Sequence, residues 1–110
     1  GVEKAIRKTH NYLKKKDKII NIEIEARNLE EVKQIIQVGG VDRIMLDNFS
    51  PEETKKAVEL INGKFETESS GGITLETIRE YAECGVDFVS VGALTHHIKS
   101  LDMSLKAIDF

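Results

Sequence analysis

Glu68-Ser69-Ser70-Gly71-Gly72-Ile73-Thr74 is echoed further on by Val91-Gly92-Ala93-Leu94-Thr95-His96. Each stretch follows an apolar, strand-like run, and each puts glycine where a strand should hand over to a helix. Glycine at such a turn lets backbone N–H groups approach a ligand with no Cβ in the way. The first turn of a following helix would add unpaired N–H donors and a partial positive charge. Two such turns in successive strand–helix units predict one phosphate site built from two loops. In (β/α)8 barrels that site lies after the last two strands, on the active-site face.

The rest of the chain repeats the strand–helix alternation. Val2 to Lys16 reads as a helix, with Val2, Ala5, Ile6 and Leu13 on one face and Lys4, Arg7, Lys8 and Lys14 on the other. His10 lies in it with no second ligand at metal spacing, and is expected at the surface or its boundary. Ile20 to Ala26 alternates apolar with Asn21, Glu23 and Glu25, a strand pattern. Two readings of that strand stand. It is a half-exposed strand with its carboxylates in solvent, or a barrel strand with isoleucines toward helices and Glu25 nearest the C-terminal mouth. Asn28 and Glu31 have capping-box spacing before the stripe Leu29, Val32, Ile35 and Ile36, which Gly39-Gly40 ends.

Arg43-Ile44-Met45-Leu46-Asp47 is expected to be a strand covered on both faces, closed by Asp47. Asp47-Asn48 could alternatively be a turn, or Asp47 a cap. Ser50-Pro51-Glu52-Glu53, however, already supplies N-cap, N1 proline and capping-box glutamate for a helix to Ile61. Asn62-Gly63 ends that helix and Lys64 to Ser69 forms the next strand. Thr74 is expected to cap a helix carrying Leu75, Ile78, Tyr81 and Ala82, ended by Gly85. Val86 to Val91 is the most apolar strand, and Leu101, Leu105 and Ile108 are spaced helically. No linker, low-complexity tract or exact repeat is evident. Four strands, each followed by a helix or helix-like segment, predict an α/β fold of parallel βα units.

Length and charge narrow the possibilities. At 110 residues the chain is one domain or part of one, too short for a complete barrel of about 250 residues. A formal net charge of -3 argues against a nucleic-acid binder. Lys14-Lys15-Lys16 ends a predicted helix, where the macrodipole alone favours cations. Cys84 is the only cysteine, so no intramolecular disulfide is possible, and it is expected to be a buried structural thiol. No apolar run approaches membrane-span length and no signal-peptide pattern opens the chain. A reducing cytoplasm is the expected setting.

Ligands bind at the carboxyl ends of strands in this architecture. Those ends carry Glu25, Asp47, Ser70-Gly71-Gly72 and Gly92-Ala93. Carboxylates beside a phosphate site fit a Mg²⁺ or ribose hydroxyls between them, because magnesium takes one or two carboxylates, waters and substrate phosphates. A phosphorylated ribose is the natural ligand class. His96-His97 cannot share a metal, since neighbours diverge on a helix and face opposite ways on a strand. One histidine near a phosphate and two surface histidines are both open readings.

These residues resemble a known family. Ile22-Glu23-Ile24-Glu25, Ile44-Met45-Leu46-Asp47-Asn48, Glu68-Ser69-Ser70-Gly71-Gly72-Ile73, Ser90-Val91-Gly92-Ala93-Leu94-Thr95-His96 and Leu101-Asp102-Met103-Ser104-Leu105 match, in order, quinolinate phosphoribosyltransferase. That family is also called carboxylating nicotinate-nucleotide pyrophosphorylase. The resemblance implies transfer of phosphoribose from phosphoribosyl pyrophosphate to quinolinate with Mg²⁺. The products are nicotinate mononucleotide, carbon dioxide and pyrophosphate, in de novo NAD synthesis. It also implies an incomplete α/β barrel beside an N-terminal α/β sandwich, assembled as a dimer or larger oligomer. By position, Glu25 and Asp47 would contact ribose hydroxyls or the metal. Ser70, Gly71, Gly92 and His96 would hold the phosphate, and Glu68 would line the barrel nearby.

The chain begins just after the family's Lys-Asp-Asn-His segment and lacks the upstream cationic residues that grip the quinolinate carboxylates. Residues 1–110 are thus expected to be the C-terminal portion of the barrel domain, keeping the phosphoribosyl end and inactive alone. A different reading is an isolated or engineered half-barrel without activity, its open edges closed by dimerising, exchanging elements, or rearranging into a flavodoxin-like sandwich. A phosphate-binding barrel of isomerase or aldolase type is weaker, since a strand-end Schiff-base lysine is missing.

Overall fold

A computed structural model describes residues 1–16 and 21–99. In chain order it has α1 (Val2–Lys16), β1 (Glu23–Ala26), α2 (Leu29–Val38), β2 (Arg43–Asp47) and α3 (Pro51–Ile61). There follow β3 (Glu66–Ser70), α4 (Ile78–Glu83), β4 (Phe88–Val91) and β5 (Leu94–His97). The Ile20 end of the first expected strand and the Leu101–Ile108 segment lie outside the described residues.

The sheet order is β1-β2-β3-β4-β5. The first four strands are parallel, each beside the next in sequence, and β5 runs antiparallel to β4. Consecutive order is that of a barrel wall wound in one direction. A flavodoxin-like sandwich would interrupt it, with a strand inserted on the far side of the first, so that alternative is excluded. The helices contact one another in chain order, α1 to α2 to α3 to α4, and share one face of the sheet. That face carries Ala26, Ile44, Leu46, Thr67, Ser69 and Val89, all buried. The opposite, helix-free face carries Glu23, Glu25, Arg43, Met45, Asp47, Glu66, Ser70, Phe88 and Ser90, half-buried or exposed, with Glu68 buried among them. Both features expected of β1 therefore coexist: its isoleucine meets the helices, and its glutamates stand in solvent on the barrel-interior side. β2 is covered fully on one face only, not on both.

Local chemistry fixes the helix ends. Ser50 Oγ accepts from the Glu53 N–H at 3.1 Å and Glu53 Oε1 accepts from the Ser50 N–H at 3.2 Å, a complete capping box. Asn62 closes α3 in the left-handed region at φ 49°. Asn28 caps α2 by accepting from the Glu31 N–H at 2.8 Å. The return bond from Glu31 reaches the Arg27 N–H instead, one residue early. The helix expected from Thr74 begins only at Ile78. Thr74 to Thr77 form a turn, with the Thr74 N–H donating to Thr77 Oγ1 at 3.0 Å. Leu75 consequently lies outside the helix and is 74% exposed.

Strand register is clamped by a repeat that periodicity does not reveal. Gly40-Val41-Asp42 precedes β2 and Gly85-Val86-Asp87 precedes β4. Asp42 Oδ2 accepts from the Ile22 N–H at 2.7 Å, and Asp87 Oδ2 accepts from the Thr67 N–H at 2.9 Å. Each aspartate thus extends a ladder by one side-chain rung. Asp42→Ala or Asp87→Ala is expected to destabilise the chain by about 1–3 kcal/mol, the cost of a part-buried N–H left without an acceptor. Urea unfolding monitored by circular dichroism measures it.

Candidate functional site

The site grows from three strand ends. Asp47 closes β2, and Asn48 follows at φ 58°, a left-handed conformation that asparagine tolerates better than other side chains. Its N–H donates to the Ser70 carbonyl at 2.9 Å, joining the ends of β2 and β3. Asp47 and Ser70 are direct ladder neighbours. Gly71, at φ 93°, lies so close that a Cβ would stand 2.6 Å from Asn48 Oδ1. Gly72 and Gly92 also have positive φ, and around each a Cβ would meet open space. The loop after β2 is held from behind, since the Tyr81 hydroxyl donates to the Phe49 carbonyl at 2.9 Å. Asn48 was not among the expected site residues. Its signal is a left-handed asparagine directly after a strand-end carboxylate.

Glu25 reaches the same place from β1. Its carboxyl is held above the ordinary glutamate value by a side-chain hydrogen bond with Asp47, then by the Asp47 charge. The structure therefore brings together Glu25, Asp47, Ser70, Gly71 and Gly72. Two neighbouring carboxylates are a donor set that a divalent cation satisfies by offsetting their mutual repulsion. Among the described residues no three His, Cys, Asp or Glu side chains are grouped to hold a metal. A group bound to its proton more tightly in the folded state stabilises at acid pH, and the contribution is lost as pH rises through the raised pKa. Glu25→Gln keeps a hydrogen bond to Asp47 without the charge. It should raise stability near neutral pH by about 0.5 kcal/mol and flatten that pH dependence in urea unfolding across mildly acidic to neutral pH.

The second glycine turn differs from expectation. A strand, β5, rather than a helix comes directly after Gly92-Ala93. Val91 pairs with Leu94, so Gly92-Ala93 is a two-residue hairpin loop. Gly92 has φ 62° and Ala93 is not among the residues with positive φ, the type II′ pattern with glycine first. The signal was present: a Gly-X pair between Ser90-Val91 and Leu94-Thr95, with β-branched residues on both sides. His96 pairs with Val89 and therefore faces the helix side of the sheet, away from Asp47 and Ser70. His97 lies on the helix-free face, edge-on to Phe88 with ring centroids 4.9 Å apart. The two histidines point oppositely. His10 is exposed in α1, its Nε2 against the Gly40 carbonyl.

Glu68 lines the helix-free face, with each carboxylate oxygen hydrogen-bonded within the sheet. Arg43 Nη1 donates to its Oε1 at 3.2 Å and Ser90 Oγ donates to its Oε2 at 2.8 Å. Arg43 also lies 3.5 Å from Glu23 and 3.4 Å from Glu66, and its guanidinium sits 3.6 Å above the Phe88 ring. Burial first, then the Glu68 charge, raises the Glu23 carboxyl despite Arg43. Arg43 was not foreseen as this hub, because its three acidic neighbours come from two other strands. Cys84 is half-buried rather than buried, and its thiol donates to the Pro51 carbonyl at 3.2 Å. Burial pushes that thiol up from its ordinary value, which makes it a poor nucleophile. Among the described residues no helix is long and apolar enough to cross a membrane.

Comparison with known proteins identifies the family. Residues 1–106 match the family described as quinolinate phosphoribosyl transferase, C-terminal domain. The chain is 46% identical to the chloroplastic nicotinate-nucleotide pyrophosphorylase [carboxylating] of Arabidopsis thaliana, over 96% of this chain and 34% of that protein. It is 42% identical to a probable nicotinate-nucleotide pyrophosphorylase [carboxylating] of Methanocaldococcus jannaschii, over 100% of this chain and 40% of the other. Among solved structures, the nicotinate-nucleotide pyrophosphorylase of Francisella tularensis superposes with a TM-score of 0.73 at 43% identity, over 84% of this chain and 32% of that one. NadC from Streptococcus pyogenes gives 0.74 at 36% identity, over 87% and 32%. The chain spans 34–40% of the length of these two curated relatives.

Proposed function

The chain belongs to the family of quinolinate phosphoribosyl transferase C-terminal domains, and we propose that it supplies the phosphoribosyl-binding half of an enzyme that makes nicotinate mononucleotide. The substrates of that enzyme would be quinolinate and phosphoribosyl pyrophosphate, in de novo NAD synthesis. Residues 1–110 would be the C-terminal portion of its α/β-barrel domain, working in a homo-oligomer in a cytoplasmic setting. The observation that carries the reading is the convergence of Glu25, Asp47, Ser70 and the Gly71-Gly72 turn at one end of the sheet.

In this reading Glu25 and Asp47 accept hydrogen bonds from the ribose hydroxyls, or hold a divalent cation, Mg²⁺ by the family resemblance. That cation would neutralise pyrophosphate charge as the glycosidic bond to it breaks. Ser70 and the backbone N–H groups of Gly71, Gly72, Gly92 and Ala93 hold the phosphate, which can come close at Gly72 and Gly92 where no Cβ projects into the open space. His96 could join only from the hairpin's opposite face, so its share is the smallest. Arg43 is committed to three carboxylates and offers quinolinate no free cation.

The test is calorimetric titration of the 110-residue chain with phosphoribosyl pyrophosphate and Mg²⁺. Saturable binding is expected, with no nicotinate mononucleotide formed when quinolinate is added to the chain alone. Absence of binding by a folded sample would sink the proposal. β5 favours a second reading, a self-sufficient folding unit without ligand, because it covers the outer edge of β4, and that outcome would support it.

A further inference from the structure

A line of hydrogen bonds crosses four strands of the helix-free face and ends on both sides of the Gly92-Ala93 turn. Glu68 on β3 is the one charged side chain among the buried described residues. Its two oxygens are taken by Arg43 of β2 and Ser90 of β4. Ser90 Oγ also lies 2.9 Å from Thr95 Oγ1 of β5. A hydroxyl has one proton, and a carboxylate can only accept. Ser90 spends its proton on Glu68, so Thr95 must donate to Ser90. The direction is fixed: Thr95 to Ser90 to Glu68, with Arg43 balancing the far oxygen. Ser90 and Thr95 are also direct ladder partners, two residues before Gly92 and two after Ala93.

We infer that Glu68 is a positioning residue which, through Ser90 and Thr95, sets the geometry of the Gly92-Ala93 turn. It is buried and each of its oxygens is already hydrogen-bonded, which suits it to positioning rather than to ligand contact. Its work is to hold the turn beside Ser70-Gly71-Gly72, which the β3–β4 register (Ser69 opposite Val89) places level with it. Arg43, on the strand that ends in Asp47, ties the turn to the carboxylate side of the site. The consequence for phosphate affinity rests on the function proposed above; the consequence for the turn does not.

The experiment uses the full chain with two small changes, Ser90→Ala and Thr95→Val, and Ser90→Thr as the conservative replacement. Thr95 is exposed, so its change does not threaten folding. Amide resonances and exchange rates of Gly92 and Ala93 are read by NMR, and affinity by titration with phosphoribosyl pyrophosphate and Mg²⁺. In Ser90→Ala the Gly92 and Ala93 amides should shift and exchange faster, while Asp47 and Asn48 amides stay put. Affinity should fall about tenfold, the equivalent of one charge-assisted hydrogen bond. Thr95→Val should move the same amides less, and Ser90→Thr should restore parent values. Turn amides that overlay the parent in both variants overturn the inference. So does an affinity loss without an amide change, which would make Ser90 a direct ligand contact. A parent that binds no phosphoribosyl pyrophosphate sinks the proposed function alone, and the amides still decide this inference.

Discussion

Asp47→Ala is expected to weaken Mg²⁺-dependent binding of phosphoribosyl pyrophosphate by about 10- to 100-fold, the range of about 1.5–3 kcal/mol for a hydrogen bond to a charged group. Asp47 stands at the end of β2, level with Ser70 and within hydrogen-bonding reach of Glu25. The hydrogen bond with Asp47 first, and the repulsion between the two carboxylates second, hold the Glu25 carboxyl above its ordinary value. A cation or a pair of ribose hydroxyls relieves that repulsion. Removing Asp47 leaves one carboxylate, so affinity should fall and its dependence on Mg²⁺ should become shallower. The fold should survive, because the Asp47 side chain is half-buried at a strand terminus and replaces no core atom. Asp47→Asn separates charge from shape: it keeps a hydrogen bond to Glu25 and should lose most of the Mg²⁺ dependence. Parent-like affinity in both variants, measured by calorimetry, would show that the pair takes no part in binding.

Gly71→Val is expected to produce the largest loss of stability at the site. Two costs combine. Holding a β-branched residue at φ 93° costs about 1–3 kcal/mol. A Cβ would also stand 2.6 Å from Asn48 Oδ1 and 3.0 Å from the Asn48 backbone nitrogen, an overpacking that costs about 1–3 kcal/mol more. The Asn48 side chain can turn away; its backbone nitrogen cannot, because it donates to the Ser70 carbonyl. The ends of β2 and β3 must therefore part, and Asp47 moves with them. Urea unfolding should show the stability loss and titration should show no residual binding. Gly72→Val is the comparison. It meets the same positive φ but no neighbour, so it should lose less stability while still crowding the ligand space. Equal stability of Gly71→Val and the parent would mean that the contact between the two loops is not structural.

Much of this was legible in the chain because local signals agreed with tertiary ones. Ser50-Pro51-Glu52-Glu53 specified its helix start completely. Alternation in Ile22-Glu23-Ile24-Glu25 specified which side chains meet the helices and which do not. Strand ends then followed from topology, which groups Glu25, Asp47 and Ser70-Gly71-Gly72 at one end of the sheet. What failed has a common cause. Gly92 permits positive φ both in a turn that leads into a helix and in a type II′ hairpin, and the choice depends on whether β4 has a free edge to fill. Thr74 and Thr77 are both good caps, and their mutual hydrogen bond delays the helix to Ile78. Arg43, Asn48 and the Asp42 and Asp87 clamps depend on residues twenty or more positions away, which no local pattern encodes.

Ligand is expected to bind at the C-terminal ends of the parallel strands, on the helix-free face. Mapping amide resonances of the chain during addition of phosphoribosyl pyrophosphate and Mg²⁺ tests it most directly. Perturbations should group at Glu25, Asp47-Asn48, Ser70 to Gly72 and Gly92-Ala93. Perturbations grouped instead at the opposite strand ends, around Asp42, Lys64 and Asp87, or along the basic face of α1, would contradict it.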